Sequence, residues 1–469
     1  MGITSILNVA QNALFAQQTA MQVVSNNVAN ASTDGYMREE AVFNEAPSVQ
    51  TDFGMMGNGV SIEKVMAQYD KYLESSLSKE NAATEEQKTY EQYFSRLESI
   101  LSDSNTNLTS NITSFFNSWQ SLSTDPLNTT SRTNVAMQGT NMCSSIRNVY
   151  SELKSIQAEA NSNVAQQVTS INGILHSLAE VNTKMYEEGA GGKDDASLIS
   201  QRTKLIKDLS GIMNIQSFED KDGGMSVMTS NGKILVDRGN VNELSAQASG
   251  ASGFYSVVWN SGSGVSIDIT NNIQGGSLKS YIDLRDNQIA GFIGTINDLA
   301  QSLMTEVNNI HSTGYTANGT TGINFFKNLT SDYACNIDIS DEVKTDVGNI
   351  AATSSTSNTS GNDIALALAN LGSASVTISG QNTTYTDYAA SIGSTVGNLS
   401  KNAQDLYQYH QNILSAVQSQ RDSLSGVSIN EEMTNLIKFQ YAYQAAARLL
   451  NTADSLFSTL LAIGGNTAA

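Results

Sequence analysis

Between Met142 and Met185 apolar residues return every three or four positions, at Ile146, Val149, Leu153, Ile156, Ala160, Val164, Val168, Ile171, Leu175, Leu178 and Val181. That spacing lays one apolar stripe along a single helix. The only prolines of the 469-residue chain, Pro47 and Pro126, stand outside it, so no ring clash or missing amide breaks the run. The pattern predicts a helix from Ser131 to Glu188. At about 1.5 Å per residue it would reach roughly 85 Å, well beyond the ~30 Å diameter of a small domain. The chain must therefore build something elongated.

Both ends carry stripes of the same kind. In the first thirty residues Ile3, Leu7, Ala10, Leu14, Met21, Val24 and Val28 form a seam interrupted at Gln17. Near the other end Ile429, Met433, Leu436, Tyr443, Ala447, Leu450, Phe457 and Leu461 keep the spacing, with Gln440 and Asp454 as polar exceptions. Such seams suit a coiled coil and also an ordinary amphipathic helix of a globular bundle. The candidate assembly seam is thus Leu7, Leu14, Met21, Val24 and Val28 with Ile429, Met433, Leu436, Tyr443, Leu450, Phe457 and Leu461. Ser428 and Glu431 read as a capping box and Gly464-Gly465 as a stop.

Further helices are predicted over Tyr69 to Leu101, from Asp125-Pro126 onward with Asp125 as N-cap, around Ser197 to Leu209, over Leu278 to His311 and over Tyr388 to Leu424. Gly189 to Gly192 ends the long helix, and Gly361 to Gly380 reads as loop with minor structure. Between Ile212 and Gly276 the pattern changes to alternation punctuated by glycine. Strands are expected at Met225 to Met228, Ile234 to Val236, Tyr255 to Trp259 and Val265 to Ile269, with turns at Asp222-Gly223-Gly224 and Asn231-Gly232. The expected fold is mainly α with an inserted β module, elongated and multidomain. Residues 1–60 with 425–469 would form a terminal domain of paired coiled-coil helices, 61–211 with 277–424 a long-helix rod, and 212–276 a small β domain at the outer end.

Lys and Arg total 25 against 45 Asp and Glu, a formal charge of -20. Such a surface repels phosphate backbones and anionic headgroups, so neither nucleic acid nor a membrane is an expected partner. No apolar run approaches a membrane span, and the residues after Met1 have no basic n-region of a cleaved signal. The three histidines, His176, His311 and His410, are far apart and belong to no HExxH motif. Gly191-Gly192-Lys193 is followed by Asp194 where a phosphate loop needs Ser or Thr, and Asp220-Lys221-Asp222-Gly223 lacks the remaining ligands of a calcium loop. Glu431 and Glu432 fall in the first turn of a helix, where negative charge favours the dipole. No catalytic, cofactor or metal site is predicted, and the chain does not read as an enzyme. Cys143 and Cys335 read as buried free thiols, with a disulfide between them as the alternative.

Residues Ser25 to Tyr36, SNNVANASTDGY, resemble the signature of the flagellar axial family of rod, hook and hook-associated proteins. Ala29, Asn30, Thr33, Gly35 and Tyr36 match its fixed points, and Ser32 stands where the family usually has asparagine. Physically, Gly35 after a helix suits a turn with positive φ, and Tyr36 suits a core position. Ser425 to Glu432, Phe439 to Ala447 and Asn451 to Asp454 are similar to the hook-associated protein 1 branch, as are Gly275 to Leu278, Arg285-Asp286 and Val307 to Gly314. The resemblance implies a structural protein of the hook-filament junction, outside the cell and exported without a cleaved signal. It also implies hook protein, hook-associated protein 3, further copies of the chain in a ring-like assembly and an export chaperone as partners. A distal rod or hook protein is the nearest alternative. A secreted adhesin is the alternative of another class, motivated by the Ser, Thr, Asn and Gly of the variable parts.

Overall fold

The computed structural model describes residues 2–33, 35–51, 54–103, 106–187, 195–220, 223–250, 253–358 and 360–465. The predicted break at 189–192, with Lys193, Asp194, Lys221 and Asp222, lies outside them. The first helix, α1 (Gly2–Asn30), is followed by a hairpin that the apolar stripes do not announce. Its strands β1 (Glu39–Glu45) and β4 (Val60–Ala67) pair antiparallel from Glu39 opposite Ala67 to Glu45 opposite Val60, and β2 (Val49–Thr51) with β3 (Gly54–Met56) forms its outer part.

The long-helix bundle begins at α2 (Lys71–Ser102), where Asp70 accepts from the amides of Tyr72 and Leu73. A helix absent from the sequence reading, α3 (Leu108–Thr124), follows behind an Asn107 cap. Its buried Ile112, Phe115, Trp119 and Leu122 carry the helix up to Thr124, so Asp125 is not the predicted N-cap but closes α3 through its own amide on the Leu122 carbonyl. Pro126 lies in the turn. Asn128 Oδ1 accepts from the Thr130 and Ser131 amides at 2.9 and 3.2 Å and starts α4 (Thr129–Glu187), whose 59 residues span about 88 Å. α5 (Ala196–Ile212) leads into the β module.

The module holds two antiparallel sheets. One is β5 (Ile215–Glu219), β6 (Met225–Thr229), β7 (Ile234–Asp237) and β8 (Asn240–Val241) in sequence order; the other places β10 (Phe254–Asn260) between β9 (Leu244–Ser249) and β11 (Ser266–Asp268). The chain returns through α6 (Gly276–Asp283), a π-helical turn at Leu284–Gln288, α7 (Ile289–His311), the short α8 (Tyr333–Asn336) and α9 (Asp341–Thr345), and α10 (Asp363–Leu371). The span read as loop from Gly361 thus contains a helix, because Ile364, Ala365, Leu368 and Leu371 have an apolar core to enter. After the hairpin β12 (Val376–Ile378) and β13 (Gln381–Thr383), α11 (Tyr385–Ser425) runs back along α2 and α12 (Ile429–Gly465) along α1. Both Gly464 and Gly465 belong to α12, so the pair does not stop it ahead of Gly465.

One core fills the half of the bundle around the start of α4, where Phe115, Trp119, Phe325 and Phe326 interlock at centroid separations of 6.2, 5.3 and 4.9 Å along the series. A second core joins Val164, Val168, Ile171, Leu175 and Leu178 of α4 to Val227, Leu235, Val236, Leu244 and Val257 of the module. The module therefore flanks α4 and does not sit at the outer end as expected. The last turns of α4, Val181 and Met185, pack with Met37 and Ala67 beside the first hairpin, and Glu219 of β5 pairs with Lys71 at the start of α2. The physical reason is the stripe itself: a module at the outer tip would leave those five α4 side chains facing water.

At the neck of the module the two crossing strands touch, with the Asn214 amide on the Gln274 carbonyl at 2.8 Å. Gly276 makes this approach possible. Its φ is +75°, and a Cβ there would lie 2.4 Å from the Ile212 backbone.

Candidate assembly interface

The axial motif forms the turn that ends α1. The Thr33 amide donates to the Asn30 carbonyl at 2.9 Å and the Tyr36 amide to the Thr33 carbonyl at 3.1 Å, while Thr33 Oγ1 reaches Asn30 Oδ1 at 3.3 Å. Gly35 takes φ of +80°, which lets the chain reverse into β1. Ala29 is exposed and Asn30 half-buried. The turn brings Tyr36 and Arg38 back over Asn27, whose side chain is fully buried.

Asn27 uses all four hydrogen-bonding positions of its carboxamide. Its Nδ2 donates to the Glu39 carbonyl at 2.8 Å and to Glu432 Oε2 at 3.1 Å; its Oδ1 accepts from the Glu39 amide at 2.9 Å and the Tyr36 hydroxyl at 3.0 Å. Arg38 Nε donates to Glu432 Oε1 at 2.8 Å, and the Arg38 amide donates to the Ser425 carbonyl at 2.9 Å. Burial, then the Glu39 carboxylate, raises the Tyr36 pKa, so its hydroxyl stays a donor. Glu432 is 1% exposed and Glu431, 67% exposed, lies 3.8 Å from Arg38. The first-turn carboxylates thus face a cation and a carboxamide besides the helix dipole. On the other side of the turn Arg421 reaches the Gly35 carbonyl and Glu74, tying α11 and α2 to the same corner.

Because Asn27 near the end of α1 meets Glu432 at the start of α12, the two helices run antiparallel. The line they bury against each other and the hairpin is slender: Ala10, Ala16, Ala20, Val23, Val24 and Asn27 on α1, with Glu432, Ala446 and Ala453 on α12. Of the predicted seam, Val24 is buried, and Leu7, Leu14, Met21, Val28, Leu436 and Leu450 are half-buried. Tyr443, Phe457 and Leu461 are exposed, and so are Ile429 and Met433. With Ile437 and Tyr441 these last two form a ridge of four apolar side chains at intervals of four, exposed by 54, 44, 50 and 67% in sequence order. Leu456, Phe457, Leu460, Leu461 and Ile463 continue the exposure to the far end of α12.

Sequence reasoning missed a recurrent device. Asn172 and Asn182 of α4 each exchange two hydrogen bonds with one strand residue, Leu244 at 2.7 and 2.9 Å and Met225 at 2.8 and 3.2 Å; Asn308 of α7 exchanges two with Phe326, which forms an isolated β-bridge with Ile339, at 3.0 and 2.8 Å. Asn161 accepts from the Tyr255 amide, and Arg285, in the π-helical turn, bridges Asn161 to the Tyr255 carbonyl. Each carboxamide replaces a missing strand partner. The available signal was asparagine, a poor helix former, beside an apolar stripe within a helix.

The histidines serve packing and pairing. His176 contacts Glu243 at 2.8 Å and His410 contacts Glu80 at 2.6 Å. His311 is buried, with Nδ1 donating to the Ile323 carbonyl at 2.8 Å and Nε2 accepting from the Ala351 amide at 2.9 Å, and burial holds its pKa down to about 4. Cys143 and Cys335 are free; Cys143 is buried, but Cys335 is exposed, on the short α8, contrary to the reading of both as buried. No helix among the described residues is long and apolar enough to cross a membrane.

Three family models match successive parts of the chain: flagella basal body rod protein at residues 7–36, the helical domain of flagellar hook-associated protein FlgK at 94–326, and the C-terminal part of flagellar basal body rod FlgEFG proteins at 418–463. Flagellar hook-associated protein 1 of Bacillus subtilis (strain 168) is 27% identical over 97% of this chain and 97% of its own length. That of Escherichia coli (strain K12) is 24% identical over 98% of this chain and all of its own. The flagellar hook junction protein FlgK of Burkholderia pseudomallei shares the fold at a TM-score of 0.66 and 12% identity, covering 75% of this chain and 100% of that one. With the axial turn at one end, the long-helix bundle between and the last helix folded back on the first, the chain belongs to the flagellar hook-associated protein 1 family.

Proposed function

We propose that this chain is a structural adaptor of the hook-filament junction, joining hook protein on one side to hook-associated protein 3 on the other. In this reading residues 1–60 with 425–469 are the assembly domain, 61–211 with 277–424 the rod that spaces it, and 212–276 a module carried on the rod's flank. The observation that carries the proposal is the uncovered ridge Ile429, Met433, Ile437 and Tyr441 with the exposed end of α12 beyond it. Contiguous exposed apolar surface of this kind marks a protein interface. The remaining partners are further copies of the chain in a ring-like assembly and an export chaperone; the chain leaves the cell without a cleaved signal and takes no catalytic part.

Deleting residues 428–469 tests it. The shortened chain keeps the bundle cores, so it is expected to remain folded and helical while cells retain hooks and shed filament subunits. Normal filaments on those cells would overturn the assignment. Fluorescent labelling separates the alternative of another class, since a junction component gives one spot per flagellum and an adhesin coats the cell.

A further inference from the structure

We infer that the bundle is made of two units able to open independently, and that Arg285, in the π-helical turn between them, is the brace that keeps the module-bearing unit closed.

The two cores meet without apolar packing. On α4 the first ends at Ala160 and the second begins at Val164, with Asn161, Ser162 and Asn163 between them. Among the described residues α4 is the one helix that contributes buried apolar side chains to both cores. α2 and α11 pack on each other, and neither adds a buried side chain to the second core. α2 meets α5 and α6 with hydrogen bonds such as Asn81 Nδ2 to the Lys207 carbonyl and Ser280 Oγ to the Glu86 carbonyl, both at 2.9 Å. What spans the gap is polar too. Asn163 Nδ2 donates to the Tyr93 hydroxyl at 2.9 Å, and that hydroxyl donates to Glu159 Oε1 at 3.2 Å. Such bonds exchange for bonds to water at small net cost, whereas apolar area must be re-exposed in full.

Arg285 is the exception, because it is 3% exposed and stands where the helix ladder slips. The Ile289 amide reaches back five residues to the Leu284 carbonyl, so the Arg285 carbonyl loses its α-helical donor. Gln157 Nε2 replaces that donor at 2.9 Å. The guanidinium then joins three elements. Its Nε and Nη2 donate to the two oxygens of Asp286 at 2.7 and 2.8 Å, while Nη1 donates to Asn161 Oδ1 at 2.9 Å and to the Tyr255 carbonyl at 2.7 Å. The Phe254 ring lies 5.0 Å from it. α4, the returning chain and the start of β10 thus converge on one buried cation. A planar fork makes these bonds in several directions at once, and a lysine ammonium cannot copy it.

Hydrogen exchange on the purified full-length chain tests the brace, and needs no flagellum, so it can fail independently of the proposed function. Arg285→Met, which keeps the apolar stem and removes the fork, is expected to raise exchange over 164–178 and 225–249 by about tenfold or more. Over 112–122 and 292–304 the same variant is expected within about threefold of the parent chain. Arg285→Lys keeps the charge without the fork and is expected to match Arg285→Met. Gln157→Leu removes one bond across the gap and leaves the guanidinium in place, so both units are expected within about threefold of the parent. Unchanged exchange over 164–178 and 225–249 in Arg285→Met would overturn the brace. An equal rise in both regions, or failure of that variant to fold, would do the same by making Arg285 part of one undivided core. Full recovery in Arg285→Lys would show that charge alone suffices, and an equal opening in Gln157→Leu that the guanidinium has no special part; either result would sink the assignment.

Discussion

The longest helix and the last helix of the molecule are held on opposite terms. α4 buries Ile146, Val149, Leu153 and Ile156 in one core and Val164, Val168, Ile171 and Leu175 in another, each line met by large apolar partners from several elements. α12 fully buries two alanines and a carboxylate among its described side chains, half-buries Leu436, Phe439 and Leu450, and leaves most of its other bulky side chains in water. A structure stabilised by area tolerates the loss of any one contact. A structure stabilised by a polar key does not, but the key fixes one register, because buried hydrogen bonds are directional and apolar packing is not. The bundle is complete as it stands, and the terminal pair is specified but not covered.

The largest way to break that contrast is to remove what covers α4. Replacing residues 213–275 by a short Gly/Ser linker exposes Val164, Val168, Ile171, Leu175 and Leu178, a loss of about 8–15 kcal/mol as an upper estimate at roughly 1.5–3 kcal/mol per side chain. That exceeds the reserve of most domains. The second half of α4 is expected to lose its exchange protection and the chain part of its helical circular dichroism; a shortened protein with undiminished helix content would mean the module is a detachable appendage. Next in size is Phe115→Ala, which empties the aromatic core and is expected to cost about 3–5 kcal/mol in cooperative unfolding of the bundle. Phe439→Ala on α12, half-buried against Phe43 at 5.9 Å, is expected to cost under about 1.5 kcal/mol and to loosen only the terminal pair. Equal costs at the two sites, read by denaturant unfolding, would erase the distinction.

Acid sharpens it from another side. His311 is held neutral by burial, its pKa lowered from 6.5 to about 4, with Nε2 occupied by the Ala351 amide. Above pH 6.5 neither folded nor unfolded chain binds the proton, and the full stability is present. Between about 6.5 and about 4 the unfolded chain binds it first, so stability falls as pH falls, by about 3 kcal/mol at the lower end. Denaturation of the bundle followed from pH 7 to 4 is expected to show this slope, and His311→Gln to flatten it by about that amount. A slope identical in both proteins would remove His311 from the account.

What was legible in the sequence follows the same division. The stripe of α4 could be read because a helix packed by area repeats its apolar residues, and a helix of 59 residues repeats them many times. The terminal stripes showed that two helices exist and have sticky faces, but not which face meets which. Ile429 and Met433 lie on the outward ridge of the pair, while the inward line carries Val23, Val24 and small alanines interrupted by Asn27 and Glu432, a weaker apolar signal than the bulky residues of the ridge. The same limit hid the module's position. Its strands were visible as alternation, but its attachment runs through Asn161, Asn172 and Asn182, whose carboxamides reveal their partners only in three dimensions. Asp125-Pro126 misled for a local reason: aspartate before proline is a good helix start, yet Asn128 three residues on had two free amides to cap.

The smallest expected effect on the isolated chain bears hardest on the contrast. Ile437 and Tyr441 are 50 and 67% exposed on α12, on the ridge that also carries Ile429 and Met433, so Ile437→Ser with Tyr441→Ser removes almost nothing that the folded monomer uses. Surface substitutions of this kind stay within about 0.5 kcal/mol of neutral each, and denaturant midpoints of the double variant are expected to coincide with those of the parent chain. In cells the same variant should fail, because a neighbour packed on the ridge would lose two large apolar contacts, each worth about 1.5–3 kcal/mol when fully buried, and every copy in a ring-like assembly would repeat the loss. The control is Tyr72→Ser, equally large and apolar and 88% exposed, but at the start of α2, away from the ridge. If the ridge variant is stable and still supports filaments, the exposed face of α12 is ordinary surface. If the control is equally defective, exposed tyrosines matter for another reason. Only a stable chain with an intact control and lost filaments separates a terminal pair awaiting neighbours from one that is merely thinly packed.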